Sequence, residues 1–233
     1  MAVPGSARVG DSLQPTDWRS GKTCRGTGSA FETGGSEGVA SGATETVSRS
    51  ERQRQVANSV TVVVLAASDA APYKSLMLHA YEHAADAFTS TPEERAREPD
   101  EWWLQRIAHP KGLTIAFGYF SGKSLVGTVA LEFSAKPKTR HKALVIGMYV
   151  LPAARGNGSA RALLQAAIQF CRERGDIRAV RLEVTEGNAP AIALYESLGF
   201  KAFGVEPMAV LTASGFRSKV HMWLGLPPPS DSG

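Results

Sequence analysis

Two kinds of hydrophobic pattern alternate along the 233-residue chain, and together they predict the order of its strands and helices. A β-branched run over residues 60–65 is typical of a strand, and a helix is expected from about 70 to 87. A further helix is indicated after Thr91, where a capping box with proline at the first helical position begins. Its predicted apolar face consists of Trp102, Trp103, Leu104 and Ile107.

Three apolar runs separated by turn signals follow, over 113–120, 124–133 and 143–150, and they predict an antiparallel meander. The period then changes to that of a helix over 159–174, which a glycine ends at the C-terminal cap. The remaining pattern predicts a strand, a helix and two more strands, over 180–185, 188–198, 200–205 and 219–224.

This order of elements predicts an α/β fold, more strictly α+β, over residues 58–225. We expect a central mixed, mostly antiparallel sheet of about six or seven strands, flanked by about four helices. Residues 1–57 hold 9 Gly and 14 Ser or Thr without any regular period, so a disordered N-terminal tail is expected there. Residues 226–233 are expected to form a disordered C-terminal tail.

Composition narrows the class of protein without naming a function. Charged residues make up 21% and apolar residues 43%, and the net charge of +4 is too small to indicate nucleic-acid binding. Cys24 and Cys171 lie in unlike settings, which disfavours a structural disulfide. Without the pattern of a secretory signal or a membrane span, a cytoplasmic protein that binds neither nucleic acid nor membrane is expected.

The segment Arg155-Gly156-Asn157-Gly158-Ser159-Ala160 joins a predicted strand to a predicted helix and has the features of an anion site. Its glycines let backbone N–H groups turn inward beside a helix N-terminus, and Arg155 adds a cation. An ordinary strand-to-helix turn is the alternative. A P-loop is disfavoured because no lysine follows Gly158, and a dinucleotide fingerprint because Arg161 stands where a third glycine is required.

Around this loop, the sequence resembles the acetyl-CoA motif of the GNAT family of N-acetyltransferases, Arg/Gln-x-x-Gly-x-Gly/Ala. Arg155, Gly158 and Ala160 fill its three fixed places. Residues 188–200 resemble the second family signature, Asn-x-x-Ala-x-x-Leu-Tyr-x-x-x-Gly-Phe, and the resemblance spans about 59–224. It implies a GNAT fold and an N-acetyltransferase that transfers an acetyl group from acetyl-CoA directly to a primary amine.

The resemblance also implies a binding site for acetyl-CoA as co-substrate, without a metal. Residues 148–150 would bind the pantetheine arm as an added strand does, and the loop amides would hold the pyrophosphate. The implied cofactor-binding residues are Met148, Tyr149, Val150, Arg155, Gly156, Asn157, Gly158, Ser159, Ala160, Asn188 and Tyr195.

Three residues are candidates for the chemistry, since a thioester reacts with a neutral amine and its departing thiolate needs a proton donor. By the resemblance, Tyr195 is the acid near the cofactor sulfur, and a core aromatic residue is the alternative reading. Glu183 and Glu132 are rival candidates for the base. Each could instead be a solvated residue or an ion-pair partner of a nearby arginine, and a water relay could replace both.

Two histidines on the first helix, His79 and His83, lie one turn apart but lack the glutamate of a zinc-binding His-Glu-x-x-His motif. We expect them to line the acceptor pocket or to cap the helix, and we expect no metal. The expected acceptor is an amine of a small molecule or a protein. Whether the protein forms a homodimer is left open. A non-catalytic acyl-CoA-binding module that regulates a partner is the alternative function.

Overall fold

The computed structural model describes residues 60–228. The predicted N-terminal tail, residues 1–57, and residues 229–233 lie outside this range. Leu226, the first residue of the predicted C-terminal tail, is buried, and its N–H donates to the carbonyl of Arg178 at 2.9 Å. The packed part of the chain therefore extends at least one residue beyond the domain limit expected from the sequence.

Seven strands form one sheet in the order β1-β2-β3-β4-β5-β7-β6. Neighbouring strands are antiparallel except β4 and β5, which are parallel. The strands are Val60–Val64 (β1), Thr114–Ser121 (β2), Ser124–Phe133 (β3), Lys142–Val150 (β4), Ala179–Thr185 (β5), Lys201–Thr212 (β6) and Gly215–Gly225 (β7). The predicted mixed, mostly antiparallel sheet is confirmed.

Helices cover both faces of the sheet. They are Ala70–His83 (α1), Pro92–Ala96 (α2), Asp100–Ile107 (α3), Ser159–Arg174 (α4) and Ala189–Ser197 (α5). Along β3, Val129 and Leu131 pack in the cluster with α4, whereas Ala130 packs in the cluster with α1 and α3. Because successive strand residues point to opposite faces, the two clusters lie on opposite sides of the sheet. Within residues 60–228, none of the helices is long and apolar enough to cross a bilayer.

Capping residues at the helix ends explain why some helices begin and end where the sequence predicts. The capping box at Thr91 forms, and α4 has the expected bounds, with Gly175 in the left-handed region at its end. The single helix expected after Thr91 is two helices, α2 and α3. Pro99 separates them, because a proline is tolerated at a helix start but not in its interior.

The last two strands are longer than expected. The sequence pattern predicts 200–205 and 219–224, whereas β6 and β7 form a hairpin over Lys201–Thr212 and Gly215–Gly225. Register shifts within β6 and a positive φ of 54° at Met208 interrupt the alternation of side chains. The second half of β6 therefore has no period of two by which the sequence could reveal it.

A gap opens between the two parallel strands in the middle of the sheet. β4 and β5 pair only between residues 142–144 and 179–181. Further along β4, a shift in its register with β3 places an extra residue near Gly147, where φ is +59°. Such a bulge bends the strand that carries it, so β4 turns away from β5 and leaves a V-shaped gap.

Candidate active site

A cavity of about 640 Å³ occupies the gap between β4 and β5. Residues 144–150 of β4 and 182–185 of β5 line it. Because the described pairing of these strands ends at Leu144 and Arg181, the backbone N–H and C=O groups beyond them are available to a ligand that lies along the edge of β4.

The cavity brings together most of the residues that the sequence pointed to. Of the eleven predicted cofactor-binding residues, seven line it: Met148, Tyr149, Val150, Arg155, Ala160, Asn188 and Tyr195. The other four lie in the connecting loop and at the first residue of α4: Gly156, Asn157, Gly158 and Ser159.

The backbone of the loop has the conformation that an anion site requires. Gly156 and Gly158 have φ values of +80° and +85°, which a residue with a side chain rarely adopts. Gly158 also precedes the first turn of α4, and it has no side chain with which to cap that helix end. Beyond Ser159, the first N–H groups of α4 thus point into the loop region with the positive end of the helix dipole.

Two loop residues are used for internal support. Ser159 is buried, its hydroxyl donates to the carbonyl of Ala154 at 2.8 Å, and its N–H donates to the side-chain oxygen of Asn157 at 3.1 Å. Arg155 donates its Nε to the carbonyl of Val150 at 2.9 Å, which holds the start of the loop against the end of β4. An anion here would meet mainly the amides of the neighbouring glycines and the Arg155 charge.

Tyr195 serves as a core residue and also reaches the cavity. Its side chain is 7% exposed and packs edge-on against Phe200 at 6.0 Å between ring centroids. Burial raises the pKa of its hydroxyl to about 12, so the group holds its proton throughout the neutral range. Asn188, at the start of α5, accepts a hydrogen bond from the N–H of Ala191 at 3.3 Å and so caps that helix.

The structure separates the two candidate bases. Glu183 lines the cavity, with Lys219 Nζ at 3.5 Å and His221 Nδ1 at 3.7 Å from its carboxylate. Glu132 is half exposed, lies 3.9 Å from a guanidinium nitrogen of Arg106, and is not among the cavity-lining residues. Only Glu183 is therefore placed to act on a group inside the cavity.

Three cationic residues of the cavity were not identified from the sequence, namely Arg95, Arg106 and Lys219. Lys219 is buried and pairs with Thr185 across β5 and β7, two residues along from the pair of Glu183 and His221, so its Nζ reaches the Glu183 carboxylate diagonally. In the sequence around Lys219, its alternation with His221 along β7 was the only local sign that it faces the site. The two arginines come from helices far from either motif, so no spacing in the sequence links them to the site.

The two histidines of α1 interact with each other and with β4. Their rings are stacked at 4.0 Å, and His79 Nδ1 lies 3.0 Å from the hydroxyl of Tyr149. His83 Nδ1 lies 3.0 Å from the carbonyl of His79, and its side chain lines a neighbouring cavity of about 560 Å³. In the described part of the chain, no three His, Cys, Asp or Glu residues are grouped so as to hold a metal ion.

Comparison with known proteins gives the same family as the motifs. A sequence profile described as the Acetyltransferase (GNAT) family matches residues 77–200. The chain is 32% identical over 105 residues to the streptothricin acetyltransferase of Streptomyces lavendulae, a match that covers 45% of this chain and 53% of that one. It thus spans about half the length of this curated relative.

Two solved structures share the fold over their whole length. The ribosomal-protein-alanine N-acetyltransferase from Brucella melitensis superposes with a TM-score of 0.60 at 22% identity, covering 71% of this chain and 99% of that one. The Salmonella typhimurium protein yncA, solved with its cofactor acetyl-CoA, gives 0.62 at 21% identity, covering 76% and 99%. At this identity the likeness establishes the fold alone.

Proposed function

Because the chain belongs to the GNAT acetyltransferase family, we propose that it transfers an acetyl group from acetyl-CoA directly to a primary amine of a small molecule or a protein. The observation that carries the proposal is the cavity between β4 and β5, which joins a glycine loop, a buried tyrosine and a paired carboxylate in one space. Each part corresponds to one requirement of the reaction.

The residues present fit acetyl-CoA. The open backbone edge of β4 at residues 148–150 suits the amide-containing pantetheine arm, which would add to it as a strand does. The amides of Gly156 and Gly158, with the Arg155 charge, suit the pyrophosphate. The relative yncA, whose structure contains acetyl-CoA, has the same fold, which supports this assignment.

Bound acetyl-CoA would supply an activated acetyl group. Tyr195 holds a proton in the cavity and would donate it to the sulfur as the carbon–sulfur bond breaks. Glu183 would accept the proton that the acceptor nitrogen loses as the carbon–nitrogen bond forms. Cys171 takes no part, since it is buried in the core and burial raises its pKa to about 12. No covalent enzyme intermediate is therefore proposed.

Relatives of the chain act on different amines. By their names, one acetylates streptothricin and another an alanine of a ribosomal protein. These names support an amine as the acceptor in this protein too, either on a small molecule or on a protein. The cytoplasmic location expected from the sequence stays a prediction.

The test is thiol release from acetyl-CoA in the presence of a panel of amines, compared with Tyr195→Phe. The wild type should release CoA with at least one amine, and the variant should be slower by about 100-fold, the size of a typical general-acid contribution. Acetyl-CoA affinity, measured by calorimetry, should change less than about twofold. Tight binding of acetyl-CoA without turnover of any amine would contradict the proposal and favour a non-catalytic acyl-CoA sensor.

A further inference from the structure

Two arginines line the cavity at the end of β4 opposite the glycine loop. Arg106 lies beside Glu132, which pairs with Leu144 near the start of β4, whereas the loop follows Val150 at the other end. Six strand residues of about 3.3 Å each separate these ends by about 20 Å. Arg106 therefore lies too far from the loop to bind the same pyrophosphate, and its charge is available to the other substrate.

The charges of the cavity wall do not balance. Four cations line it, Arg95, Arg106, Arg155 and Lys219, and among the described residues Glu183 is the one carboxylate that does so. Lys219 is paired with Glu183, and Arg155 belongs to the glycine loop. Arg95 and Arg106 are left as the cations of the wall whose carboxylate partners, Glu98 and Glu132, do not line the cavity.

The two guanidinium groups share one aromatic ring. That of Arg95 lies 4.4 Å from the centroid of Trp102, and that of Arg106 lies 5.2 Å from it. Both side chains are largely buried, 22% and 23% exposed. Stacking on an indole holds a guanidinium in place while leaving its N–H edge free, so the pair is ordered before any ligand binds.

The carboxylates nearest to these arginines neutralise them incompletely. Arg95 donates to Ser90 at 2.6 Å and to Glu98 at 3.3 Å, but its buried Nε has no partner within residues 60–228. For Arg106, the distance to Glu132 is 3.9 Å, which exceeds hydrogen-bond length. Neither carboxylate lines the cavity, so positive charge remains on the cavity side.

We propose that the acceptor is an amine that also carries a carboxylate or a similar oxyanion, as an amino acid does, and that Arg106 binds this oxyanion with the charge of Arg95 in support. The inference rests on the proposed function. The planar fork of arginine matches a carboxylate bidentately. Nearby cations also disfavour the ammonium form of the acceptor, which favours the neutral amine that reacts.

The charged side chains that line the neighbouring cavity are mainly negative. Glu82, Asp86 and Glu186 line the second cavity together with Arg217. They are exposed, and this cavity shares Asn188 with the first. A polycationic acceptor would use these carboxylates, so diamines and spermidine are the competing substrates in the test.

The experiment measures kcat/KM with acetyl-CoA for α-, β- and γ-amino acids, each beside its primary amide and its decarboxylated amine. The best amino acid should exceed its amide by about tenfold or more, as expected for a charge-assisted hydrogen bond. Arg106→Gln should remove this preference, Arg106→Lys should restore part of it, and Arg95→Gln should reduce it. Arg97→Gln is the matched control, since Arg97 is exposed and does not line the cavity.

Three results would overturn the inference. The first is an amide that reacts as fast as its amino acid, and the second is a diamine that reacts faster and depends on Glu82; both leave the acetyltransferase proposal intact. If no amine reacts although acetyl-CoA binds, the proposed function fails, and binding of the same amino acids is measured by saturation-transfer NMR. Binding of the amino acids that Arg106→Gln weakens then supports the anion site. Equal binding by the wild type and by Arg106→Gln is the third result that would overturn the inference.

Discussion

At the scale of single residues, the two carboxylates on strands show how position decides a role. Glu183 and Glu132 both lie on strands at the middle of the sheet, and both have a basic neighbour within 4 Å. Glu183 stands on β5 at the edge of the gap, where the cavity reaches it. Glu132 stands on β3, with β4 between it and the gap.

This difference predicts different effects of the same substitution. Glu183→Gln should lower kcat by about 100-fold, because it removes the proton acceptor and keeps the side-chain volume. Glu132→Gln should keep kcat within about twofold of the wild type. Initial rates with the best acceptor and thermal unfolding of both variants would check this, since Glu183→Gln also leaves Lys219 without its carboxylate. Equal rates for the two variants would point to a water relay instead.

At the scale of elements, the loop before α4 depends on two left-handed glycines. Gly158→Ala forces a side chain into a φ of +85°, where no neighbouring atom lies within 4 Å of the added carbon. The backbone conformation rather than a clash should therefore cost about 1–2 kcal/mol. If the loop relaxes to relieve this strain, its amides turn away from the pyrophosphate, and the affinity for acetyl-CoA should fall about fivefold or more, the equivalent of one net hydrogen bond.

The control for this prediction is Gly112→Ala. Gly112 also has a positive φ, +63°, with open space around the added carbon, but it lies before β2 and does not line the cavity. Calorimetric titration and urea unfolding should show a similar loss of stability in both variants, with weaker binding only in Gly158→Ala. A binding loss shared by both would mean that general destabilisation is the cause.

The hairpin of β6 and β7 is the candidate surface for the homodimer that the sequence left open. All exposed large hydrophobic side chains found within residues 60–228 lie on it: Phe203, Val205, Met208, Leu211, Phe216 and Trp223. β6 is also an edge strand, whose free backbone edge can pair with the same strand of a second copy about a twofold axis.

We expect a dimer in solution that Leu211→Glu converts to a monomer, because Leu211 is 70% exposed and a buried unpaired carboxylate opposes association. Light scattering after size-exclusion chromatography measures the mass. Lys201→Glu, at the exposed start of β6, is the control for a change of charge alone. A monomeric wild type at micromolar concentration, or a dimer in both variants, would show that the hairpin does not form this contact.

At the scale of the whole molecule, three buried side chains that lose a proton at high pH make the stability of the fold depend on alkaline pH. Burial raises the pKa of Tyr73 and Tyr195 from 10.0, and that of Cys171 from 9.0, to about 12 in each case. Because the folded state favours the protonated forms, their contribution to stability is complete below about pH 9. It is lost as the pH rises from there through 12, since the unfolded chain ionises first.

The free energy of unfolding should therefore fall between pH 9 and 12, by up to about 3 kcal/mol for each tyrosine, since two pKa units correspond to about that much. Tyr195→Phe should lose less stability over this range than the wild type does. Urea unfolding at a series of pH values would measure both. Parallel pH dependence in the two proteins would show that Tyr195 ionises equally in the folded and unfolded states.

The elements divide into those that local signals specify and those that they do not. The exact bounds of α4 follow from an apolar period of 3.6 and a glycine at each end, both of which are local. The hairpin was under-predicted because Pro207 and Met208 interrupt its alternation, and pairing with β7 holds it together across that interruption. Arg95, Arg106 and Lys219 were missed because their place in the site depends on the packing of distant elements.

By itself, the sequence determined the order of the strands, the sheet class, the family and the glycine loop, with Tyr195, Glu183 and Glu132 as candidates for the chemistry. These depend on side-chain period, caps and two motifs, which are properties of neighbouring residues. Only the tertiary structure decided that β4 leaves β5 after Leu144, that Glu183 and not Glu132 faces the gap, and that two arginines share Trp102 in the cavity wall. Such features arise where strands diverge and helices pack, between residues that no local pattern connects.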